Sequence, residues 1–359
     1  MPLIQSIYTT TPGHEIRQDD AAGLTRRLFK EKFKDIERLL RVFDNGDIET
    51  RHVTMPLDWY GENHSFGERN DLYIEHAVSL GMEAAAGCLK NPEFLGREVD
   101  FREIDAIFYI SSSGIATPSI EARLMNKLPF RDDVKRIPVW GLGCAGGASG
   151  ISRAYDYCLA HPGHKVLVLC VELCSLTFQT EDYTKSNLVG ASLFADGVAC
   201  ALVTGDEADI PSAGTLPRVR STVSKLMPDS EDVMGWDVDD TGLHVVFSKS
   251  IPAIITDWLG PFVHEFLRSG GVPVEDIAHF VAHPGGKKVL LAYEEALGFD
   301  RGMTDVSRDV LRQYGNMSSP TVLFVLEQFM KKRPAAGESG LMAALGPGFS
   351  GELLLLEWQ

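Results

Sequence analysis

Three residues of this 359-residue chain combine the side chains of an acyl-transfer site: Cys144, His283 and Asn316. A cysteine thiol can attack a carbonyl, a histidine can accept the thiol proton, and the imidazolium then stabilises the thiolate. An asparagine N–H can hold a carbonyl oxygen as that oxygen becomes negatively charged. Each residue alone is a weak signal, because a cysteine is often a small buried apolar side chain and histidine or asparagine often serves in turns.

Each of the three residues stands where the pattern predicts a turn that leads into a helix. An apolar run ends in the glycine-rich GLGCAGG and an amphipathic segment follows, which predicts a strand, a sharp turn and a helix over 137–159. Cys144 would then lie at the helix N-terminus, where free N–H groups and the helix dipole favour a thiolate. The run HFVAHPGG leads through His283 into a second helix, and Asn316 precedes a third that begins near Pro320.

Papain-type cysteine proteases use the same three side chains in the same order, so they offer a rival interpretation. In those enzymes the cysteine lies near the mature N-terminus, in a CGSCW-like motif. Here more than a hundred residues with helix and strand patterns precede Cys144, and that motif is missing. The context of the cysteine therefore argues against a protease.

Composition bounds the class of protein. The chain is 44% hydrophobic and 23% charged, which suits one large or two fused globular domains. Its net charge of -16 argues against a nucleic-acid-binding surface and against a membrane surface, so an anionic ligand would need a local basic patch. No secretory signal and no apolar run of roughly 18 residues is found, so we expect a cytoplasmic protein. The six cysteines form no CxxC pairs, which indicates free thiols and no metal site.

Strand and helix patterns alternate along the chain, and their order repeats. The predicted elements of the first part are helices over 21–43 and 69–90, strands over 105–110 and 165–173, a helix from Asn187, a turn at Asp196-Gly197 and a strand through Val203. A stretch of turn residues, 206–217, follows. On each side of it a strand leads through a glycine-rich turn with a reactive residue into a helix. This order predicts an α/β protein with an internal duplication.

Five motifs together resemble those of the type III polyketide synthases, the chalcone and stilbene synthase family. They are GLGCAGGASG, LVGASLFADG, AHPGG, GNMSSP and a late GPG loop, and they occur in the family's order across nearly the whole chain. The resemblance implies the thiolase fold, an α/β architecture of duplicated αβαβα layers with mixed five-stranded sheets, in a homodimer. The N-terminal half, with the nucleophile, would span 1–213, and the C-terminal half, with the histidine and asparagine, 214–359.

The resemblance also implies a role for each matching residue. Cys144 would hold the starter and the growing chain as a thioester, while His283 and Asn316 would bind the malonyl thioester carbonyl and promote decarboxylation. Coenzyme A thioesters, acyl-CoA and malonyl-CoA, would be the substrates, so no metal or redox cofactor is implied. Phe194 matches the family's gatekeeping phenylalanine. The other matches are Gly190, Ser318, Thr117 and Cys174 for the substrate cavity, and Gly285, Gly286, Lys287 or its neighbour Lys288, and Arg51 for coenzyme A.

Departures from the plant pattern bear on the substrate. Thr117 stands where plant chalcone synthases have a methionine contributed across the dimer, and Cys174 stands at a threonine position of the plant cavity. Trp236 appears in place of a small glycine. The first two changes resemble the bacterial branch, in which small residues can open a tunnel for a long acyl chain, and they suggest a fatty acyl-CoA starter and an alkylpyrone or alkylresorcinol-type product. The alternative is a chain-initiating ketoacyl-ACP synthase, which has the same fold and triad and performs one condensation.

Overall fold

Strands and helices alternate along the chain, and the computed structural model describes residues 1–248 and 250–359. The strands are β1 (Leu3–Thr10), β2 (His14–Arg17), β3 (Thr50–Val53), β4 (Ala106–Ser111), β5 (Lys135–Trp140), β6 (Lys165–Leu173), β7 (Asp196–Thr204), β8 (Pro217–Leu226), β9 (Met234–Asp239), β10 (Gly242–Phe247), β11 (Ile277–Ala282), β12 (Ser339–Gly346) and β13 (Ser350–Trp358). The helices are α1 (Gln18–Phe29), α2 (Ile36–Asp44), α3 (Phe66–Leu89), α4 (Ile120–Met125), α5 (Gly146–Ala160), α6 (Lys185–Leu193), α7 (Ile251–Ile254), α8 (Gly260–Ser269), α9 (Lys287–Leu297), α10 (Asp305–Tyr314) and α11 (Thr321–Lys332). Within the described residues, no helix has the length and apolar character needed to cross a membrane.

Nine strands form one mixed sheet in the order β11-β12-β13-β8-β1-β7-β6-β4-β5. Only one residue pair, Leu3 with Arg218, joins β1 to β8. The sheet therefore divides into a five-stranded first half, from β5 to β1, and a four-stranded second half, from β8 to β11. Each half contains both parallel and antiparallel strand pairs. Mixed sheets were predicted for both halves, and among the described residues the second has four strands instead of five.

The helices and the two halves of the sheet form layers that pack against each other through three apolar cores. Helices α5 and α11 lie between the halves, over a core that includes Ile110 and Val322. Helix α3 covers the outer face of the first half, and α8 and α9 cover that of the second. This is the predicted αβαβα arrangement. Because helices cover both faces, β4 and β7 are buried along their whole length, which explains their continuous apolar character.

The helix predicted over 21–43 is instead two helices, α1 and α2. The charged stretch KEKFKD interrupts the apolar face between them. In one continuous helix, Phe29 and Phe43 would lie about 20 Å apart along the axis, at a rise of about 1.5 Å per residue. Breaking the helix lets both rings enter one small core.

The turn predicted at Asp196-Gly197 is also wrong, because both residues belong to β7. The Asp196 carboxylate is buried and accepts hydrogen bonds from the backbone N–H and the hydroxyl of both Thr54 and Ser175. These bonds satisfy the charge inside the sheet. They come from distant segments, so the Asp-Gly pair by itself does not reveal them.

Candidate active site

Cys144 occupies a turn between a strand and a helix, as predicted. A short 3-10 turn, Gly143–Ala145, leads from the end of β5 into α5. Gly143 has a φ of +47°, and a Cβ there would lie 2.8 Å from Cδ of Pro347, so this position requires glycine. The Gly143 N–H donates to Ser112 Oγ at 2.9 Å, which fixes the turn that carries the sulfur.

The fold brings Cys144, His283 and Asn316 to one cavity. Cys144 Sγ lies 3.8 Å from Oδ1 and 3.9 Å from Nδ2 of Asn316. The amide is held on both sides, because Nδ2 donates to the Gly285 carbonyl at 3.0 Å and Oδ1 accepts from the Ser318 N–H at 2.8 Å. His283 directly follows β11, and neither ring nitrogen has a hydrogen-bond partner among the described residues. Both nitrogens are therefore available to a substrate oxygen or to a proton.

Burial sets the protonation states at this site. It raises the pKa of the Cys144 thiol to about 11, against smaller opposing effects of hydrogen bonds with Ser318 and Asn316. Burial also lowers the pKa of His283 to about 3. Near pH 7 the resting site thus holds a thiol and a neutral imidazole. Burial therefore opposes the thiolate that the helix N-terminus favours. A neutral imidazole can accept the thiol proton as the sulfur attacks a thioester.

A buried carboxylate that sequence reasoning missed, Glu172, links the loops around the triad. It accepts hydrogen bonds from the Ser112 N–H at 3.0 Å, the Ser113 hydroxyl at 2.6 Å and the Ser319 hydroxyl at 3.1 Å. Burial raises the pKa of Glu172 to about 7. Ser112 in turn holds the turn of Cys144. The available signal was an acidic residue within the otherwise apolar end of KVLVLCVEL.

The cavity that contains the triad, called the outer cavity below, has a volume of about 730 Å³. Gly285 and Gly286 line it beside Asn316. Its charged lining is basic, in a chain of net charge -16: Arg38, Arg41, Lys185, Lys287 and Lys288. Within residues 1–248 and 250–359, no acidic side chain lines it, although Lys287 Nζ pairs with Asp47 just outside at 2.8 Å. This is the local basic patch that an anionic ligand requires.

Two of these cations come from the amphipathic helix α2, and sequence reasoning did not select them. The opposite face of α2 is buried through Ile36, Leu40 and Phe43, so Arg38 and Arg41 share the exposed face three residues apart. Their spacing on the polar side of a predicted helix was the available signal. In the described part of the chain, no cluster of three or more His, Cys, Asp or Glu side chains could hold a metal ion.

A second cavity, called the inner cavity below, lies on the other side of Phe194. The volume open to the centre of a water molecule is about 70 Å³. Apolar side chains predominate in its lining: Ile16, Ala21, Leu24, Val53, Leu57, Phe178, Ala191, Trp236 and Val245. Cys174 and Gly190 also line it, where the substrate cavity was predicted. Ser318 lies instead beside the triad, where its N–H holds Asn316.

Three aromatic rings, called the aromatic partition below, separate the two cavities. The centroid of the Phe194 ring lies 5.5 Å from that of Phe247, which lines the outer cavity, and 5.7 Å from that of Trp236, which lines the inner one. A backbone bridge joins Phe194 to Asn316. A Cβ at Gly190 would be in ordinary contact with the Phe194 ring, at 3.5 Å, and in a tighter one with Cγ1 of Val245, at 3.2 Å. This position suits the predicted gate.

Two predicted site residues lie elsewhere. Arg51 is buried and lines the inner cavity, so it does not contribute to the basic patch of the outer cavity. The reason is its strand, since β3 alternates and turns Arg51 and Val53 inward together. Thr117 is exposed, and among the described residues it lines neither cavity of its own chain. If Thr117 contacts substrate, it would do so in the cavity of a partner subunit, as the family resemblance implies.

Comparison with known families defines the class of protein. The model of the chalcone and stilbene synthase N-terminal domain matches residues 3–207, and that of the C-terminal domain matches residues 218–358. The chain therefore belongs to the chalcone and stilbene synthase family, the type III polyketide synthases, and is an acyltransferase that catalyses decarboxylative condensation. The matches favour this class over the single-condensation ketoacyl synthase that the sequence left open.

Relatives span the whole chain. A protein of Bacillus subtilis (strain 168) that carries the chalcone synthase name is 48% identical, over 100% of this chain and 99% of its own. An alpha-pyrone synthesis polyketide synthase-like protein of Mycobacterium tuberculosis is 30% identical, over 99% of this chain and 91% of its own. The crystal structure of the bacterial type III polyketide synthase 1,3,6,8-tetrahydroxynaphthalene synthase from Streptomyces coelicolor A3(2) superposes with a TM-score of 0.92 at 31% identity, covering 100% of this chain and 99% of that chain.

Proposed function

We propose that this synthase loads a long-chain fatty acyl-CoA and extends it with malonyl-CoA to a tri- or tetraketide. The product leaves as an alkylpyrone or alkylresorcinol-type compound. One observation carries the proposal: a cation-lined outer cavity and an apolar inner cavity meet at the aromatic partition. The first suits the anionic carrier, and the second suits an acyl chain.

Coenzyme A is the ligand class that fits the outer cavity. Its phosphates would meet the cations of α2 and α6, since arginine and lysine are the usual phosphate ligands in proteins. Gly285, with a φ of +49°, and Gly286 leave the wall beside Asn316 without side chains. A narrow thioester arm could therefore approach Cys144 along this wall.

The triad supports the following sequence of steps. Cys144 Sγ attacks the acyl-CoA carbonyl, His283 takes the thiol proton, and coenzyme A leaves as the proton is passed to its sulfur. Malonyl-CoA then enters, and its thioester oxygen accepts hydrogen bonds from His283 and Asn316. Carbon dioxide leaves, and the electrons of the broken C–C bond form an enolate. The enolate carbon attacks the acyl thioester and releases the Cys144 thiolate.

The inner cavity would receive the acyl tail. Cys174, Leu24 and Phe178 offer it an apolar wall. The open volume is small, so loading a long chain requires the rings of Phe194 and Trp236 to move. The name of the Mycobacterium tuberculosis relative, which refers to alpha-pyrone synthesis, supports the product class.

We also propose that the protein acts as a homodimer. Strand β5 is an edge strand with an unpaired side, and Trp140 at its end is 52% exposed. Ile115, near Thr117, is 47% exposed. Such apolar side chains beside an open sheet edge are typical of a contact surface. Sedimentation of the purified protein at several concentrations would test this.

The experiment is mass spectrometry of products from malonyl-CoA with each of a series from hexanoyl-CoA to stearoyl-CoA. We expect tri- and tetraketide products from the longer starters, and none from Cys144→Ala. Asn316→Leu should still load the starter, visible as a mass increase of the intact protein, but should condense about 10²- to 10³-fold more slowly because an enolate donor is lost. Turnover of aromatic or acetyl-sized starters alone would refute the long-chain assignment.

A further inference from the structure

Arg51 is a buried cation in the wall of the inner cavity. Its side chain is 3% exposed, and Nη1 donates to the carbonyl oxygens of Ala191 at 2.7 Å and Phe194 at 2.8 Å, at the C-terminal end of α6. Among the described residues it forms no ion pair. Asp196 acts on it electrostatically, but the Asp196 carboxylate is bonded elsewhere, to Ser175 among others. Buried charges are normally paired, so the environment of Arg51 requires an explanation.

Two N–H donors on one edge of the Arg51 guanidinium form no hydrogen bond with the described residues. Nε is shielded from solvent and has no partner within the described residues, and Nη2 forms no hydrogen bond with them either. The N–H groups of Nε and Nη2 point from the same edge of the planar group. That edge binds two oxygens held side by side.

Arg51 differs in this respect from the other polar side chains of the inner cavity. Those side chains already use their donor hydrogens within the protein: Thr25 to the Ala21 carbonyl, Tyr60 to Ser175, Ser175 to Asp196, Thr177 to the Cys174 carbonyl, and Asn187 to the carbonyls of Gln179 and Asp182. Within the described residues, Arg51 and Trp236 line this cavity with side-chain N–H groups that form no hydrogen bond, and of the two Arg51 alone offers a charge and a pair of donors on one edge. A ligand that enters the cavity therefore meets one charged, paired donor in a mostly apolar wall.

We propose that the free edge of Arg51 binds paired carbonyl oxygens of the poly-β-keto chain in the inner cavity, and so favours intermediates over the starter. The proposal rests on the proposed function, because iterative condensation is what places 1,3-dicarbonyl groups in the chain. Two aligned carbonyls of such a group present their oxygens side by side. A saturated acyl tail presents none.

The charge state of Arg51 agrees with this role. Burial lowers its pKa to about 10, so it remains a cation near pH 7. A buried cation binds a carbonyl oxygen more strongly than a neutral donor does, because little water competes with it. Its other bonds, through Nη1 to the Phe194 segment, hold the guanidinium in place beside the aromatic partition.

The test compares two substrates that differ in one keto group, hexanoyl-CoA and 3-oxohexanoyl-CoA, each extended with malonyl-CoA. In Arg51→Met, we expect kcat/KM for the 3-oxo substrate to fall about 10- to 100-fold further than that for the saturated one, since hydrogen bonds to charged groups contribute about 1.5–3 kcal/mol. Arg51→Lys retains the charge. It should recover part of the ratio of kcat/KM for the 3-oxo substrate to kcat/KM for the saturated one.

The matched control is Arg69→Met. Arg69 is also a buried arginine, but its guanidinium donates from all three nitrogens to the carbonyls of Ser65, Phe178 and Thr241, and it lines neither cavity in the described residues. Its substitution should destabilise the protein, measured by thermal unfolding, and change the two substrates equally.

An equal loss for both substrates in Arg51→Met, or no loss, would overturn the proposal and leave Arg51 as an anchor of α6. If the Met variant does not fold, the substrate ratio of Arg51→Lys decides, with a smaller shift expected in the same direction and an unchanged ratio against us. Failure of the wild type to extend any starter of the hexanoyl- to stearoyl-CoA series would instead refute the proposed function.

Discussion

The outer and inner cavities meet at the aromatic partition, but they differ in size and in the charge of their walls. The outer cavity is about ten times larger by volume, about 730 against 70 Å³, and five cations of the described residues line it. The inner cavity is apolar except for Arg51 and a few internally bonded side chains. Charge near solvent attracts a ligand over a distance and is weakened by salt, whereas an apolar cavity selects by fit. Binding of the carrier and selection of the carried chain are therefore separable.

Reversing the charge of the outer cavity should have the largest effect. It tests whether binding of the carrier is separable from selection of the carried chain. In the double variant Arg41→Glu with Lys185→Glu, we expect kcat/KM for acyl-CoA to fall about 10- to 100-fold, because attraction becomes repulsion at two exposed sites. The product profile should stay unchanged. The fall should shrink as salt is raised.

A matched control changes the net charge equally at distant sites. Arg268→Glu with Lys332→Glu alters two exposed cations that line neither cavity among the described residues. If this control lowers kcat/KM as much as the first pair, net charge and not the local patch attracts the substrate.

A smaller effect is expected when the inner cavity is enlarged and the outer cavity is left unchanged. Trp236→Ala removes an indole from its wall and from the aromatic partition, so longer intermediates should fit. We expect roughly a threefold rise in the ratio of tetraketide to triketide by mass spectrometry, with little change in KM for acyl-CoA. Trp258→Ala, which removes an indole from the core of the second half, should leave the ratio unchanged. A change in KM without a change in the ratio would contradict the assignment of the inner cavity.

The last expected effect concerns stability and not substrate choice, at the buried carboxylate of Glu172. The folded-state pKa of Glu172, about 7, lies above its ordinary value of 4.5, so the folded protein binds this proton more tightly than the unfolded chain. Its contribution to the free energy of unfolding therefore falls as pH rises from about 4.5 to 7. We expect the free energy of unfolding of the wild type, minus that of Glu172→Gln, to fall by about 1–3 kcal/mol over this pH window in urea titrations.

Taking the difference cancels the other titrating groups, including His283, whose lowered pKa gives the opposite slope. Glu265→Gln, at an exposed site, is the control for removing one carboxylate from the protein. A flat difference for Glu172 would show that this carboxylate ionises as it does in water.

Sequence was sufficient where a residue's role depends on its neighbours in the chain. The strand Lys165–Leu173 coincides with its predicted bounds, and the helix Lys287–Leu297 follows the turn after His283 as predicted, because a continuous apolar run and a helical apolar period are local properties. The strand, turn and helix around Cys144 followed from glycines and periodicity in one segment.

Sequence was insufficient where a role depends on distant segments. The position of Arg51 at the inner cavity follows from the packing of β3 against α6, and the burial of Glu172 follows from three serines on two other loops. Strand β8 lacks a clear pattern because three of its ten residues are exposed and five are half-buried, and it is defined by pairing with β13. The burial that raises the pKa of the Cys144 thiol is likewise a property of the folded state and not of the local sequence.

The position of β13 has a consequence for how the protein forms during synthesis. This strand, residues 350–358, lies inside the second half of the sheet, between β12 and β8. A nascent chain that ends at residue 349 can pair the strands of the first half but leaves β8 and β12 without the neighbour that joins them. His283, which directly follows β11, then stands on a sheet that is not yet joined to β8. Pairing of β13 therefore completes the second half of the sheet, so the support of His283 is finished late in folding.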